Sequence, residues 1–275
     1  MSFRTIAVTL FTALLALLAL IVRLPAKSGR AGASGTPVAV EHGAAGSTPV
    51  LVELFTSEGC SSCPPADALL LRLGRTQPIR EADVIVLEEH VNYWDNLGWE
   101  DPFSSEAATE RQQEYGQAFG GRQVYTPQMI VDGSAEFVGS AEDRALRAVR
   151  AAGARPKPAV SLSWIDGGML RIHVEPFTQA AQGEMPEVFL AITENMLHSD
   201  VKRGENAGRG LEHDGVVRRL IPVGKIESGP EGFSSAIAIR AAHEWNLRNL
   251  RAVAFVQERR SRRILAAAAT PFPRP

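Results

Sequence analysis

Cysteine is nearly absent: the 275 residues hold two, Cys60 and Cys63, three positions apart. There is no second cysteine pair, no His-x-x-His and no methionine-rich stretch, which argues against a dedicated metal-handling protein. No charge of either sign dominates. The net charge is -2, so the strongly basic footprint of a nucleic-acid binder is missing. Internal repeats and low-complexity core segments are missing as well. What remains is 45% apolar and 22% charged, the composition of a globular chain with a sizeable core, and the length suits one large domain or two ordinary ones.

The first residues read as a targeting segment. Arg4 precedes an uncharged run from Ile6 to Val22, and Arg23 and Lys27 restore charge. This is the layout of a secretory signal, with Ala31-Gly32-Ala33 as a small-residue cleavage site. The run also reaches the lower limit for a membrane span, so an uncleaved N-terminal anchor is the alternative. Residues 1–26 are assigned to this segment and 27–48, rich in Gly, Ala and Ser, to a flexible linker. Either reading puts the remainder outside the cytoplasm, periplasmic or secreted, where a disulfide persists.

Apolar periodicity predicts a strand at 49–55, a helix over 66–73, a strand at 83–87, a helix over 104–119, strands at 128–131 and 135–138, and a helix over 140–152. Ser104 or Ser105 and then Ser140 are the expected helix caps. Strand–helix–strand units force parallel pairing with right-handed crossovers, and Asp132-Gly133 signals a closing hairpin. This is the element order of the thioredoxin fold, with the cysteines after the first strand. Gly153 to Pro158 then breaks the chain. Seven strand patterns follow, at 160–165, 169–174, 187–193, 216–221, 234–239, 252–257 and 263–267. The expected fold class is therefore an α/β thioredoxin-like domain (49–153) followed by an all-β, antiparallel, sandwich-like domain (159–270).

Between a strand and a helix, Cys60-Ser61-Ser62-Cys63 suits thiol–disulfide exchange. The helix start favours the thiolate of a nearby cysteine, and the second thiol can resolve a mixed disulfide. Cys60 is assigned as nucleophile and Cys63 as resolving partner. Pro64 and Pro65 belong to a first helical turn, which moves the regular helix toward Cys63 and weakens its pull on Cys60. The competing reading is an inert staple, although closing so short a loop gives only about 2 kcal/mol in the chain-entropy model.

Three further segments carry candidates. Thr126-Pro127, before the third strand, occupies the place of the cis-proline that faces the cysteines in such folds, with backbone groups for an extended substrate; the alternative is a trans proline opening a strand. The loop from His90 to Phe103 holds Tyr93, Trp94 and Trp99, which either bind a substrate chain or pack the loop onto its own domain. His90 is either a base or metal ligand near the cysteines or a structural histidine. The polar stretch from Asn195 to Arg219, with His198, Asp200, Lys202, Arg203, Glu205, Asn206, Arg209, His213 and Asp214, either folds over the thiol pair or is a solvated loop.

The segments VELFTSEGCSSCPPAD (52–67), HVNYW-D-LGW-DPFS (90–104), VYTPQMIVDG (124–133) and SDVKRGENAGR (199–209) resemble a bacterial family of exported thioredoxin-like proteins of unknown function. The resemblance covers roughly residues 49–268. It implies a thioredoxin-like domain followed by a β-rich one, and no known substrate. No tryptophan precedes Cys60, and the prolines follow the pair instead of lying inside it, which argues against an ordinary thioredoxin reductase as partner.

The leading expectation is an exported thiol–disulfide oxidoreductase acting on protein thiols or with a periplasmic redox partner. It uses Cys60 and Cys63 for chemistry, and Thr126, Pro127, Tyr93, Trp94 and Trp99 for substrate. It calls for no cofactor, no metal, no nucleic acid, and no membrane beyond the N-terminal anchor. Two alternatives stand beside it. One is a copper or zinc module using Cys60, Cys63 and His90, since thiolates with imidazole suit those metals. The other is a non-catalytic binding module with a structural disulfide.

Overall fold

The computed structural model describes residues 46–121, 123–165, 168–178, 180–226 and 232–273. The apolar N-terminal run, nearly all of the expected linker and the Asp166-Gly167 turn lie outside them. The first half contains β1 (Thr48–Thr56), α1 (Pro64–Thr76), β2 (Ala82–His90), α2 (Glu106–Ala118), β3 (Gln128–Val131), β4 (Ala135–Val138) and α3 (Glu142–Gly153). The second half contains β5 (Val160–Ile165), β6 (Met169–Val174), β7 (Pro186–Glu194), β8 (Leu197–Asp200), β9 (Gly210–His213), β10 (Val216–Lys225), β11 (Phe233–Ala238), β12 (Leu250–Glu258) and β13 (Ile264–Pro271). Among the described residues no helix is long and apolar enough to cross a membrane.

One sheet runs through both halves. Its eight strands lie in the order β13-β12-β7-β10-β2-β1-β3-β4. β1 and β2 are parallel, and β3 and β4 continue antiparallel. β10 joins the far edge of β2 in parallel, through Val216 against Glu88, and carries β7, β12 and β13 with it. A small sheet of β11, β6 and β5 covers the second half, and the β8–β9 hairpin stands apart.

This overturns the expected fold class, a thioredoxin-like α/β domain followed by a separate all-β domain. Among the described residues the fold is mostly β, with three α-helices on a mixed sheet shared by both halves. The physical reason is that alternation specifies which face of a strand is buried, not which strand edge it pairs with. Leu51, Ile85 and Leu87 of the first half share one apolar cluster with Ala191, Val253, Phe255 and Ile264 of the second, so burial extends across the expected boundary.

Successive side chains on β1 point to opposite faces. Val50, Val52 and Leu54 pack with Leu69, Leu70 and Leu73 of α1 and Val149 of α3. On the other face, Glu53 accepts from Arg111 Nε of α2 at 2.6 Å and from the Tyr115 hydroxyl, with Gln257 of β12 bonded to both Arg111 and Tyr115. The same parity on β2 puts Val84 and Val86 toward α1. Glu88 and His90 therefore emerge on the α1 side at the strand's end.

Candidate functional site

β1 ends at Thr56, and the Ser57–Cys63 turn leads directly into α1. Cys63 is the N-cap residue of α1 without a side-chain cap, and Pro64 and Pro65 follow. Prolines there replace amides that would otherwise point out of the helix start. Cys60 and Cys63 form a disulfide with their Cα atoms 5.4 Å apart, and both residues are 0% exposed. Ser61 and Ser62 between them are exposed. The Ser62 hydroxyl lies 3.3 Å from Cys60 Sγ.

The polar stretch after β8 covers this turn. Asn206, itself buried, donates its side-chain amide to the carbonyls of Glu58 at 2.8 Å and Cys60 at 2.9 Å. Glu205 accepts from the Ser61 amide at 3.0 Å. Of the two expectations for this stretch, folding over the cysteines is the observed one. The sequence reading missed the β8–β9 hairpin that carries it, whose strands are four residues each and half exposed.

The aromatic loop closes the other side. Trp99 Nε1 donates to Glu58 Oε2 at 2.7 Å, and Trp94 Nε1 donates to Thr126 Oγ1 at 2.9 Å. Tyr93 donates to Gln112 Oε1 at 3.1 Å and remains 38% exposed. The Thr126–Pro127 peptide is cis. Gln128 pairs with Phe55, so Pro127 stands at the end of β1 from which the cysteine turn departs. Ser105 caps α2 through the Ala108 amide, whereas α3 has Ala141 at its N-cap in place of the expected Ser140, and no side-chain cap.

Beneath the turn lies a buried group of acids and imidazoles. His90 Nδ1 is 2.7 Å from Asp101 Oδ2, which also accepts from the Glu58 amide at 2.8 Å. His213 Nδ1 is 2.9 Å from Glu88 Oε1. Its Nε2 lies 3.3 Å from Glu58 Oε1 without the alignment of a hydrogen bond. The two imidazoles meet edge to face at 4.8 Å, and Phe103 flanks both. Gly215 makes this approach possible. Its carbonyl accepts from the Glu88 amide at 2.8 Å, and a Cβ there would stand 2.7 Å from the Val86 carbonyl oxygen. Arg75 of α1 ties the neighbouring Asp214 at 2.5 Å.

The electrostatics follow from burial and charge. Burial works against a charged His213, yet Glu88 and Glu58 outweigh it and push its pKa up to about 11. Burial likewise opposes protonation of His90, and Asp101 overrides it, so its pKa rises. Burial would raise Asp101, but His90 and the amides of Glu58 and Phe103 hold it below its ordinary value. Asp67 of α1, which accepts from Thr56 Oγ1 at 2.6 Å, is raised to about 7 by burial and by Glu88.

Among the described residues, Glu88, His90 and His213 form the group whose ligand atoms could hold a metal, lying within 4.8 Å of one another. The cysteines are not in it, and while they are joined as a disulfide they offer no thiolate to the expected copper or zinc set of Cys60, Cys63 and His90, which belongs to the reduced protein. Sequence reasoning singled out His90 and His213 separately and missed Glu88 and Glu58 altogether. The available signal was the charged Glu88-Glu89-His90 end that follows the apolar run Val84–Leu87.

A family described as protein of unknown function, DUF1223, matches residues 51–257. The chain belongs to this family. Its description assigns no activity. No curated protein matches the chain. Among solved structures, the chain is similar to a protein from Agrobacterium tumefaciens, with 28% identity and a TM-score of 0.62 over 83% of this chain and 96% of that one. It is also similar to HBP35 of Porphyromonas gingivalis, with 14% identity and a TM-score of 0.60 over 82% and 76%, a likeness of fold alone.

Proposed function

We propose that this DUF1223 protein is an exported thiol–disulfide exchange protein acting on protein thiols through Cys60 and Cys63. The observation that carries the reading is the Cys60–Cys63 disulfide at the β1–α1 turn, which side chains of two other segments, Glu205 and Asn206 of the polar stretch and Trp99 of the aromatic loop, hold in place. A bridge between residues three apart constrains the unfolded chain little, so stabilisation of the fold does not by itself account for it. The N-terminal Arg4 and apolar run support action outside the cytoplasm, where the bond persists.

The exchange balances without a cofactor. A substrate thiolate attacks Cys60 Sγ, the Cys60–Cys63 bond breaks, and Cys63 leaves as thiolate. A second substrate thiolate then attacks the substrate sulfur of the mixed disulfide and releases Cys60. Two substrate thiols lose two electrons and two protons, and the two cysteines gain them. Because both cysteines are covered, the Glu205–Asn206 segment must lift for the attack. In this reading Thr126 and Pro127, with exposed Tyr93, orient the incoming chain.

The reading is tested by trapping. Cys63→Ser should accumulate mixed disulfides with extracytoplasmic proteins through Cys60, and Cys60→Ser should not. If neither variant traps a partner and the wild-type protein oxidises no model dithiol, the disulfide is structural and the binding-module alternative holds.

A further inference from the structure

We infer that Glu88, His90 and His213 hold a divalent transition-metal ion of the zinc class, with Asp101 and Glu58 as the outer carboxylates that orient the two imidazoles. The inference does not depend on the exchange reading, because no cysteine takes part.

The donor geometry carries it. Asp101 Oδ2 already accepts from the Glu58 amide and lies 2.7 Å from His90 Nδ1, so that nitrogen is the one bearing the proton. This leaves His90 Nε2 as a lone pair. It is fully buried, without any hydrogen-bond partner, and aimed at Glu88 Oε1 3.8 Å away. On the other ring, Nδ1 is 2.9 Å from the same Glu88 oxygen, and Nε2 faces Glu58 Oε1 at 3.3 Å. The two separations from Glu88 Oε1, 2.9 and 3.8 Å, bracket the roughly 3.3 Å edge of a tetrahedral site with nitrogen and oxygen ligands near 2.0 Å, and the three ligand atoms lie within 4.8 Å of one another, so the two rings draw together on the ion.

Each imidazole therefore presents one nitrogen to a shared centre and the other to a carboxylate. That is the carboxylate–histidine–metal arrangement at His90, and at His213 the Glu58 carboxylate stands 3.3 Å from Nε2, short of an aligned hydrogen bond. A proton alone is a poorer explanation. His90 Nε2, His213 Nε2 and Glu58 Oε1 all stand in the interior without a hydrogen-bond partner, where an unmade hydrogen bond is costly. Two imidazoles and a carboxylate suit zinc and its neighbours better than the hard, all-oxygen demand of calcium or magnesium. The ion would bridge the end of β2 to the end of β9, beside the hydrogen bond from the Glu88 amide to the Gly215 carbonyl.

The test is titration of chelator-stripped full-length protein with Co2+, read by visible absorption, and with Zn2+ in competition with a chromophoric chelator. One ion per chain with a tetrahedral Co2+ spectrum is expected, unchanged in the Cys60→Ser/Cys63→Ser double variant. His90→Gln and Glu88→Gln should abolish the spectrum. Asp101→Asn, which spares every ligand, should weaken binding by about 10- to 100-fold. Failure of the folded wild-type protein to bind either ion overturns the inference, as does undiminished binding in His90→Gln. Loss of binding in the double cysteine variant overturns it too, by pointing to the cysteines as ligands.

Discussion

Asn206 donates to the Cys60 carbonyl from 146 residues away in the chain, and the same amide nitrogen reaches the Glu58 carbonyl. One side chain thus fastens the second half of the protein over the disulfide of the first. Asn206→Ala removes the donor from two buried carbonyls and should destabilise the fold by about 1–3 kcal/mol. It should also speed reduction of the disulfide by dithiothreitol in native buffer. An unchanged reduction rate would mean that Asn206 does not gate the bond.

Arg111 is buried between the two faces of the fold's joint. It bonds Glu53 at 2.6 Å and lies 3.7 Å from Glu89, with Gln257 of β12 on its other nitrogen. Arg111→Met leaves Glu53 without its counter-charge in the interior, which should cost about 3–5 kcal/mol. Urea unfolding measures it, and a loss below 1 kcal/mol would show that Glu53 is served by another group.

Gly215 sits at a positive φ of 74° with no room for a Cβ beside the Val86 carbonyl. Gly215→Ala should lower stability by more than about 1 kcal/mol and move His213 away from Glu88. The imidazole resonances of His213 would report that movement directly. A variant with wild-type stability and an unshifted His213 would contradict the packing described.

Glu258 gives the pH dependence away from the site. Burial would raise its pKa, but Arg263, Ser261 and the Ala181 amide outweigh that and hold it below the ordinary 4.5. A group depressed in the folded state stabilises above its unfolded value and loses that contribution as pH falls through the folded one. Wild-type stability should therefore fall as pH drops below about 4.5, and Glu258→Gln should flatten that part of the profile. Equal slopes in the two proteins would reject the assignment.

Much of this was legible in the chain. Alternation placed β3, β4, β5 and β6 to the residue, and the strand–cysteine–helix junction stood where local pattern put it. The Thr126–Pro127 cis bond was anticipated from its place before β3. Strand edges were not legible: nothing in VVRRLI distinguishes a strand that closes a separate sheet from one that docks beside β2 through Val216 and Glu88. The buried acid–imidazole group was hidden for a similar reason. Its members come from the cysteine turn, β2, the aromatic loop and the end of β9, brought together only by tertiary pairing. Glu58 carries no local signal of burial, because a carboxylate is ordinarily a surface residue, and for Glu88 the one signal is its place at the end of an apolar strand.

The most direct test of the exchange reading is the reduction potential of the Cys60–Cys63 disulfide, measured by equilibration in glutathione buffers with alkylation and mass readout. The account predicts a value among those of exchange enzymes, roughly -120 to -270 mV. A value below about -300 mV, or a bond that exchanges only after denaturation, would contradict it and make the disulfide a structural staple.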